Sequence, residues 1–288
     1  MTREEFISEV KSSNYNYPSF DEEYKGFQEY QNLVGEMLKE FHRICESNGI
    51  HYQLAYGSMI GAVRDGGQIP WDYDADVLVP YSEKGMLIEV LKKDLNKKYY
   101  YMCPESDPRC RHYFIKIAPV GYKSASLHLD VFYSIGAPDH EPLEFGKDIR
   151  QHINLRYIKL VNIREELAGN IKDQILMLLR KIKYQGLSQG KIDSEFESLC
   201  KEYDSSECKN LLVTDFYADR QLFHSEMWET NLIKTYNGDF RIACCYDRIL
   251  TELYGDYKSV PPLKDRIDEF RKSYQRIKRM NRNMKIEV

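Results

Sequence analysis

The stretch GSMIGAVRDGGQIPWDYDADV, residues 57–77, combines a glycine-serine step, a short apolar segment, a glycine-rich turn and three closely spaced aspartates. Its last part, DADVLVP at 74–80, is typical of a buried strand that ends at a proline. The preceding IHYQLAY, residues 50–56, predicts a strand that runs directly into the glycine-serine step. Ser58 is a candidate N-cap for a helix over MIGAVR, so the predicted order is strand, helix, turn, strand.

Apolar periodicity extends this order along the chain. The patterns predict helices at 22–48, 82–95, 164–184 and 191–203, and strands at 113–118 and 126–133. The expected fold class is α+β, with a mixed β-sheet, flanking helices and a mainly helical C-terminal half that shares the same core. No fixed-period repeat or low-complexity linker separates the two halves.

Composition narrows the class of protein. A net charge of -4 gives no global attraction to nucleic acid, and we expect no nucleic-acid partner. The N-terminal residues lack the basic and apolar regions of a secretory signal, which favours a cytoplasmic location. Seven cysteines without a CxxC spacing are interpreted as free thiols. The GxxxxGK[ST], GxGxxG, HExxH and GxSxG motifs are absent.

The aspartates indicate a metal site. Asp74 and Asp76 are two residues apart on the predicted strand, so their side chains leave the same face and can share a cation. Asp130 interrupts another apolar strand, where a buried carboxylate needs compensation. Oxygen ligands of this kind suit Mg²⁺, with Mn²⁺ as an alternative. Asp72 could cap the turn, bind substrate or act as a base. A solvated surface pair is the simpler interpretation of Asp74 and Asp76 taken alone, but the glycine-serine step and Asp130 together favour a functional site.

Phosphate binding is predicted on the other side of this site. Gly57 lets the backbone approach a ligand, and the amides that follow Ser58 point towards it. Arg64 and Lys116 could neutralise phosphate oxygens, or could be ordinary surface cations. Trp71 could form a ligand platform or simply cover the core.

At this point the sequence resembles the LicD family of phosphotransferases, which includes bacterial phosphocholine transferases and is similar to the catalytic region of fukutin-type proteins. The resemblance rests on LAYGSMIGAVRDGGQIPWDYDADV at 54–77, FIKI at 114–117, HLDVFY at 128–133 and YNGDFRIACCYDRILTELYGDYKSVPP at 236–262. Tyr73 replaces the middle aspartate of the family's WDDD, and Asp65 stands near its usual basic residue. Neither departure removes a proposed metal ligand.

The resemblance implies a nucleotidyltransferase-like fold and names site residues. We expect a catalytic core with its N-terminal helix at 1–140 and a mainly helical part at 141–288 that completes the site. By position, the resemblance implies Asp74, Asp76 and Asp130 as metal ligands and Gly57 and Ser58 as residues that bind the donor phosphates. The residues themselves add Asp72 to the catalytic group and Arg64, Lys116, Trp71 and Tyr73 to the substrate-binding candidates.

The resemblance also implies the reaction. A phospho-alcohol group, phosphocholine or a phospho-alditol, would pass from a CDP-activated donor to a sugar hydroxyl of a cell-surface glycan or lipid-linked precursor, with release of CMP. Two alternatives stay open at this stage. One is a nucleotidyltransferase that transfers NMP from an NTP to a small molecule, protein or RNA, and the other is a non-enzymatic metal-binding interaction domain.

Two further expectations concern partners. A carried choline would favour an aromatic cage, for which Tyr56, Trp71, Tyr73 and Tyr133 are candidates. The tail from Lys264 to Lys285 is basic, with apolar residues at helical spacing. It could contact the inner face of an anionic membrane, although a helix packed on the core is the simpler interpretation.

Overall fold

A computed structural model describes residues 1–163 and 171–281. Its helices are α1 (Arg3–Ser12), α2 (Phe20–Asn48), α3 (Tyr56–Ile60, continued by a π-helical turn at Gly61–Asp65), α4 (Lys84–Asp94), α5 (Pro142–Leu160), α6 (Ile171–Lys183), α7 (Gln189–Cys200), α8 (Tyr246–Tyr254) and α9 (Leu263–Asn281). Its strands are β1 (Gln53–Leu54), β2 (Ala75–Pro80), β3 (Tyr99–Met102), β4 (Ile115–Pro119), β5 (Leu129–Ala137), β6 (Asn210–Val213), β7 (Phe223–His224), β8 (Thr230–Thr235) and β9 (Gly238–Ala243).

The main sheet has the order β1-β2-β5-β4-β3, with β6 paired to β5 and β7 paired to β6. Strands β2 and β5 run parallel, and the other pairs are antiparallel. The register places Asp76 opposite Asp130, and Asp130 opposite Lys116 on β4. Three charged residues therefore form one row across three strands that are otherwise apolar.

The predicted mixed sheet with flanking helices is confirmed, and helices predominate in the second half. The second half also contributes β6 and β7 to the main sheet and a separate β8-β9 hairpin, which the helical patterns did not predict. The predicted helix at 164–184 begins at residue 171 in the described structure, and residues 164–170 lie outside it.

Helix α9 packs its apolar side on the core. Ile267, Phe270, Tyr274 and Ile277 are buried, and the Phe270 ring meets the Phe27 ring of α2 edge to face at 5.1 Å. Lys264, Lys272, Lys278 and Arg279 are exposed on the outer side of this packed helix, whereas Arg266 is buried. The apolar side of α9 is therefore occupied by the core as far as Asn281, in agreement with the simpler interpretation of a packed helix. Residues 282–285 of the tail lie outside the described residues, and membrane contact there stays a prediction.

The remaining composition-based expectations concern cysteines and membrane spans. All seven cysteines fall in the described ranges and are free thiols, as predicted. Within those same ranges, every helix is too short or too polar to cross a bilayer.

Candidate active site

A cavity of about 770 Å³ opens beside the charged row of the sheet. The first half of the chain lines it with residues that include Tyr56, Tyr73, Asp74, Asp76, Lys116, His128 and Asp130. The second half supplies the opposite lining, including Tyr157, Asp215, Phe216, Tyr217, Tyr254 and Arg276. Residues far apart in sequence therefore share one concave, partly polar space of the size that small-molecule ligands occupy.

Three carboxyl groups at the start of β2 influence one another. Burial raises the pKa of Asp76 well above its usual range, and the charges of Asp74 and Asp130 raise it further. The pKa of Asp72 is also raised, first by burial and then by the Asp74 carboxyl, to which Asp72 is hydrogen-bonded. Within residues 1–163 and 171–281, no lysine or arginine forms an ion pair with Asp74 or Asp76. A cation placed here would relieve their repulsion.

Asp130 has a different environment. Lys116 Nζ donates to both carboxylate oxygens of Asp130, at 2.6 and 2.9 Å. His128 Nε2 lies 3.5 Å from Asp130 Oδ2. Burial alone raises the pKa of Asp130, but His128 and Lys116 outweigh that effect and hold the pKa well below its usual range. Asp130 is therefore already charge-compensated.

Magnesium fits the site as a two-carboxylate ligand set. In the described ranges, no group of three His, Cys, Asp or Glu side chains converges into a ready-made metal cage. Asp74, Asp76 and Asp130 therefore do not form the expected three-carboxylate metal site, because both oxygens of Asp130 accept hydrogen bonds from Lys116. Mg²⁺ commonly takes one or two carboxylates and completes its shell with water and substrate phosphates. Asp74 and Asp76, both in the cavity wall and without a cation partner among the described residues, meet that requirement.

The glycine-serine step contacts the backbone and side chains of the aspartate cluster. Helix α3 begins at Tyr56, so Ser58 lies inside the first turn and is not the predicted N-cap. Its hydroxyl instead accepts the backbone N–H of Asp76 at 2.8 Å. A Cβ on Gly57 would lie 3.1 Å from Asp72 Oδ2, which explains the glycine. Phosphate binding by Gly57 and Ser58 stays a prediction.

Tyr56 reaches into the cavity from an unusual backbone conformation. Its φ of 46° is in the left-handed region that non-glycine residues rarely adopt. Its hydroxyl donates to Asp215 Oδ2 at 2.5 Å, and the Tyr217 N–H donates to Asp215 Oδ1 at 2.7 Å. Burial raises the pKa of Asp215 to about 6. This carboxyl group is a second acidic element of the cavity, separate from the β2 cluster.

Six rings form a continuous series along one wall. The centroid distances are 5.6 Å from Tyr56 to Phe132, 4.5 Å from Phe132 to Phe114, 4.7 Å from Phe114 to His112, 6.3 Å from His112 to Phe216 and 5.7 Å from Phe216 to Tyr157. Burial lowers the pKa of His112 well below its usual value, and nearby Lys116 and Arg111 lower it further, so its ring is neutral at pH 7. A wall of neutral aromatic faces attracts cations.

Other predicted substrate-binding residues divide between the cavity and the core. Tyr73 lines the cavity, and its hydroxyl accepts a hydrogen bond from Arg276 Nη1 at 2.9 Å. Trp71 is buried against Phe6, with ring centroids 5.5 Å apart, and so covers the core. Arg64 lies over the Trp71 ring at 5.6 Å.

Arg64 and Tyr133 are also corrected by the structure. The Arg64 guanidinium pairs with Asp65 at 2.8 Å and donates to the backbone carbonyl of Tyr257, away from the cavity. Tyr133, another candidate for an aromatic cage, is fully buried beside Tyr81. Both side chains stabilise the fold rather than lining the cavity.

Residues 141–288 were expected to complete the site, but the individual residues of this part that line the cavity were not predicted. Asp215 follows the buried strand β6, so it repeats the pattern of an acidic residue at the edge of an apolar strand. That signal was available in NLLVTD at 210–215. Arg276 has no such signal, because it is one of many basic residues on α9.

Comparison with known proteins adds to this geometry. Residues 49–143 match the family model described as LicD/FKTN/FKRP, nucleotidyltransferase domain. The chain is similar to the lipopolysaccharide cholinephosphotransferase LicD of Haemophilus influenzae, with 25% identity over 82% of this chain and 93% of that protein. Shorter similarities, each over 68 residues and 24% of this chain, are to mannosyltransferase regulators 4 and 14 of Saccharomyces cerevisiae. Their identities are 31% and 26%, over 6% and 7% of those proteins.

Proposed function

We propose, from the premise that this chain belongs to the LicD family through its nucleotidyltransferase domain at residues 49–143, that it transfers phosphocholine from CDP-choline to a sugar hydroxyl of a glycan. The observation that carries the proposal is the composition of one cavity. It holds carboxylates without a cation partner among the described residues, and beside them a continuous aromatic wall with its own carboxylate. Similarity over 93% of a lipopolysaccharide cholinephosphotransferase supports it.

In this proposal the β2 end of the cavity binds the diphosphate. Asp74 and Asp76 would hold Mg²⁺, which when bound neutralises phosphate charge and orients the diphosphate for in-line attack. Arg276, which donates to the Tyr73 hydroxyl, also lines the cavity and adds positive charge to its wall. These side chains would fix the donor so that the acceptor hydroxyl reaches the phosphorus that carries choline, with CMP as the leaving group.

The aromatic wall would bind the trimethylammonium group. A quaternary ammonium cannot donate hydrogen bonds, and it is attracted to ring faces and to a nearby carboxylate. Asp215 is held against Tyr56 at the end of the ring series. A ribitol or glycerol donor lacks the positive charge that this wall suits, which favours choline among the alcohols.

Proton removal from the acceptor hydroxyl falls to a carboxylate of the cavity. Asp130 is the weakest candidate, because both of its oxygens already accept from Lys116. Asp74 and Asp76 line the cavity and have no such partner among the described residues, and a carboxylate is an adequate base for an alcohol that attacks phosphorus. Asp72 is also without such a partner in that part of the chain, but it does not line the cavity.

The test is a product assay with a matched control. Purified protein is incubated with Mg²⁺, a lipid-linked glycan extract, and CDP-choline, CDP-ribitol, CDP-glycerol or CTP, and the products are followed by ³¹P NMR. We expect CMP and a glycan phosphodiester from CDP-choline, with both lost in Asp76→Asn and retained in Asp239→Asn, which alters an exposed aspartate on β9. Pyrophosphate from CTP would instead show a nucleotidyltransferase, and phosphodiester from only an alditol donor would replace choline.

A further inference from the structure

Helix α6 presents an apolar stripe to the outside of the molecule. The stripe consists of Ile171, Ile175, Leu178, Leu179 and Ile182, whose side chains are 52% to 74% exposed. Their spacing of three and four residues places them along one side of the helix. A contiguous apolar surface of this kind on a water-soluble fold marks a docking surface.

The stripe is not the side by which α6 attaches to the fold. Met177 is buried on the other side of the helix, in a small cluster with Ile158 and Val161 at the end of α5. Lys181 Nζ also donates to the backbone carbonyl of Lys159 at 2.9 Å. The helix is therefore anchored through one side and leaves its more apolar side exposed.

The charges around the stripe indicate its partner. Residues 171–183 contain four basic residues, Lys172, Arg180, Lys181 and Lys183, and one acidic residue, Asp173. On a helical projection Lys172 and Lys183 fall at the border of the stripe, where long aliphatic stems can follow an apolar surface and keep their ammonium groups in water. Apolar residues bordered by lysines are typical of helices that lie in the interface of an anionic bilayer.

We propose that α6 docks the protein onto an anionic lipid bilayer, with the five-residue stripe inserted among the acyl chains and Lys172 and Lys183 against the headgroups. A second copy of the chain fits less well. In a two-fold antiparallel pairing of α6 stripes, the lysines at one end of each helix would face those at the other end of its partner.

Helix α9 provides an internal contrast. It is also amphipathic and basic, but its apolar residues Phe270 and Ile277 are fully buried in the core. Basic charge alone therefore does not distinguish α6 from α9 as a membrane-binding helix. The combination of an exposed apolar stripe and bordering lysines occurs on α6 and not on α9.

The position of α6 links such docking to the cavity. Tyr157 of α5 lines the cavity and also packs against the cluster that holds Met177. The inference does not depend on the proposed function. If that function holds, docking through α6 would bring the cavity close to a lipid-linked acceptor.

The test is vesicle flotation with the full chain. We expect binding to vesicles of phosphatidylcholine mixed with phosphatidylglycerol, and about tenfold weaker binding to phosphatidylcholine alone. The double variant Ile175→Glu/Leu179→Glu should reduce binding to the mixed vesicles at least ~10-fold. The matched control Val120→Glu/Leu232→Glu alters apolar residues that are 61% and 53% exposed elsewhere, and it should bind as the original chain does.

A second measurement uses the unaltered chain, so it does not depend on how the variants fold. Hydrogen exchange of peptides from residues 171–183 should slow when the mixed vesicles are added. Absence of vesicle binding by the original chain, or equal loss in the control variant, would overturn the proposal. A concentration-dependent dimer that the α6 variant abolishes, seen by sedimentation without vesicle binding, would overturn it in favour of a second copy.

Discussion

Two places in the 57–77 stretch hold charged side chains in opposite ways: Arg64 and Asp65, here called the paired end, and Asp74 and Asp76, here called the uncompensated end. At Arg64 and Asp65 a guanidinium and a carboxylate pair at 2.8 Å, with the Asp65 side chain fully buried. At Asp74 and Asp76 the carboxylates face one another, and the described residues supply neither with an ion-pair partner. The first pair is complete within the protein, whereas the second needs something from outside.

This difference distinguishes residues that stabilise the fold from the two carboxylates that we propose bind a metal ion. Buried charge without a partner is costly, so a protein retains it only where a ligand or reaction supplies the compensation. The paired charges make no such demand, because each is satisfied in the folded chain. Substitutions at the two ends should therefore affect different measurements, stability at one and activity at the other.

The largest expected effect is on activity, at the uncompensated end. Asp76→Asn should reduce CMP release by about 10²-fold or more, because the proposed Mg²⁺ would lose one of its two carboxylate ligands. Removing one of several repelling carboxylates should leave the free energy of unfolding equal or higher. Parallel assays of CMP release and urea unfolding check both parts. A strongly destabilised Asp76→Asn would show that Asp76 is structural, and the comparison would fail.

At the paired end the expected effect is on stability. Asp65→Asn leaves Arg64 buried without its carboxylate and should lower the free energy of unfolding by about 3 kcal/mol. Activity per folded molecule, measured well below the unfolding temperature, should stay close to that of the original chain. A large loss of activity in a folded Asp65→Asn protein would contradict the division between the two ends.

Asp215 sharpens the comparison with a pH dependence. Its pKa is raised to about 6 in the folded chain, so its stabilising contribution is present below about pH 4 and is lost as pH rises towards 6. The difference between the folded and unfolded pKa values of Asp215 corresponds to about 3 kcal/mol in the free energy of unfolding. In Asp215→Asn, this contribution to the change of stability with pH should disappear. Urea unfolding between pH 4 and pH 7 measures it.

The same substitution should act on donor binding. Above about pH 6 the ionised Asp215 carboxylate would face the choline group, so Asp215→Asn should raise KM for CDP-choline about tenfold with little change in kcat. An unchanged KM at pH 7.5 would show that the choline group binds elsewhere in the cavity.

The smallest expected effect lies at Tyr73, between the two ends. Tyr73→Phe removes the hydroxyl that accepts from Arg276 and should cost about 1 kcal/mol, seen as a several-fold rise in KM. Arg276→Gln should give a similar rise, and the double variant should add little to either. Full additivity of the two substitutions would show that their hydrogen bond contributes nothing to the site.

Much of the fold could be predicted from local pattern. Strand β2 and its proline, the long helix α2, and strands β4 and β5 each have periodicity or composition that identifies them. The same patterns could also predict that Asp76 and Asp130 lie close together, because both are in apolar strands. Local pattern succeeds here because these elements are long or strongly apolar.

Local pattern does not specify which side of an element meets the core. Arg64 and Lys116 are both cations near apolar residues, yet one pairs with Asp65 and the other with Asp130. Helices α6 and α9 have similar periodicity, but only tertiary packing decides that Phe270 is buried and Leu179 exposed. The four-residue strand β6 was missed because its apolar segment is too short to stand out.

The walls of the cavity come from widely separated parts of the sequence, and this has a consequence for how the protein is made. Tyr56 and Asp76 leave the ribosome long before Tyr254 and Arg276 do. A nascent chain can form the β2-β5 pair long before its cavity has a second wall. A fragment limited to residues 49–143 would likewise keep the motif and lose the enclosure, so translation must pass Arg276 before a substrate finds a complete site.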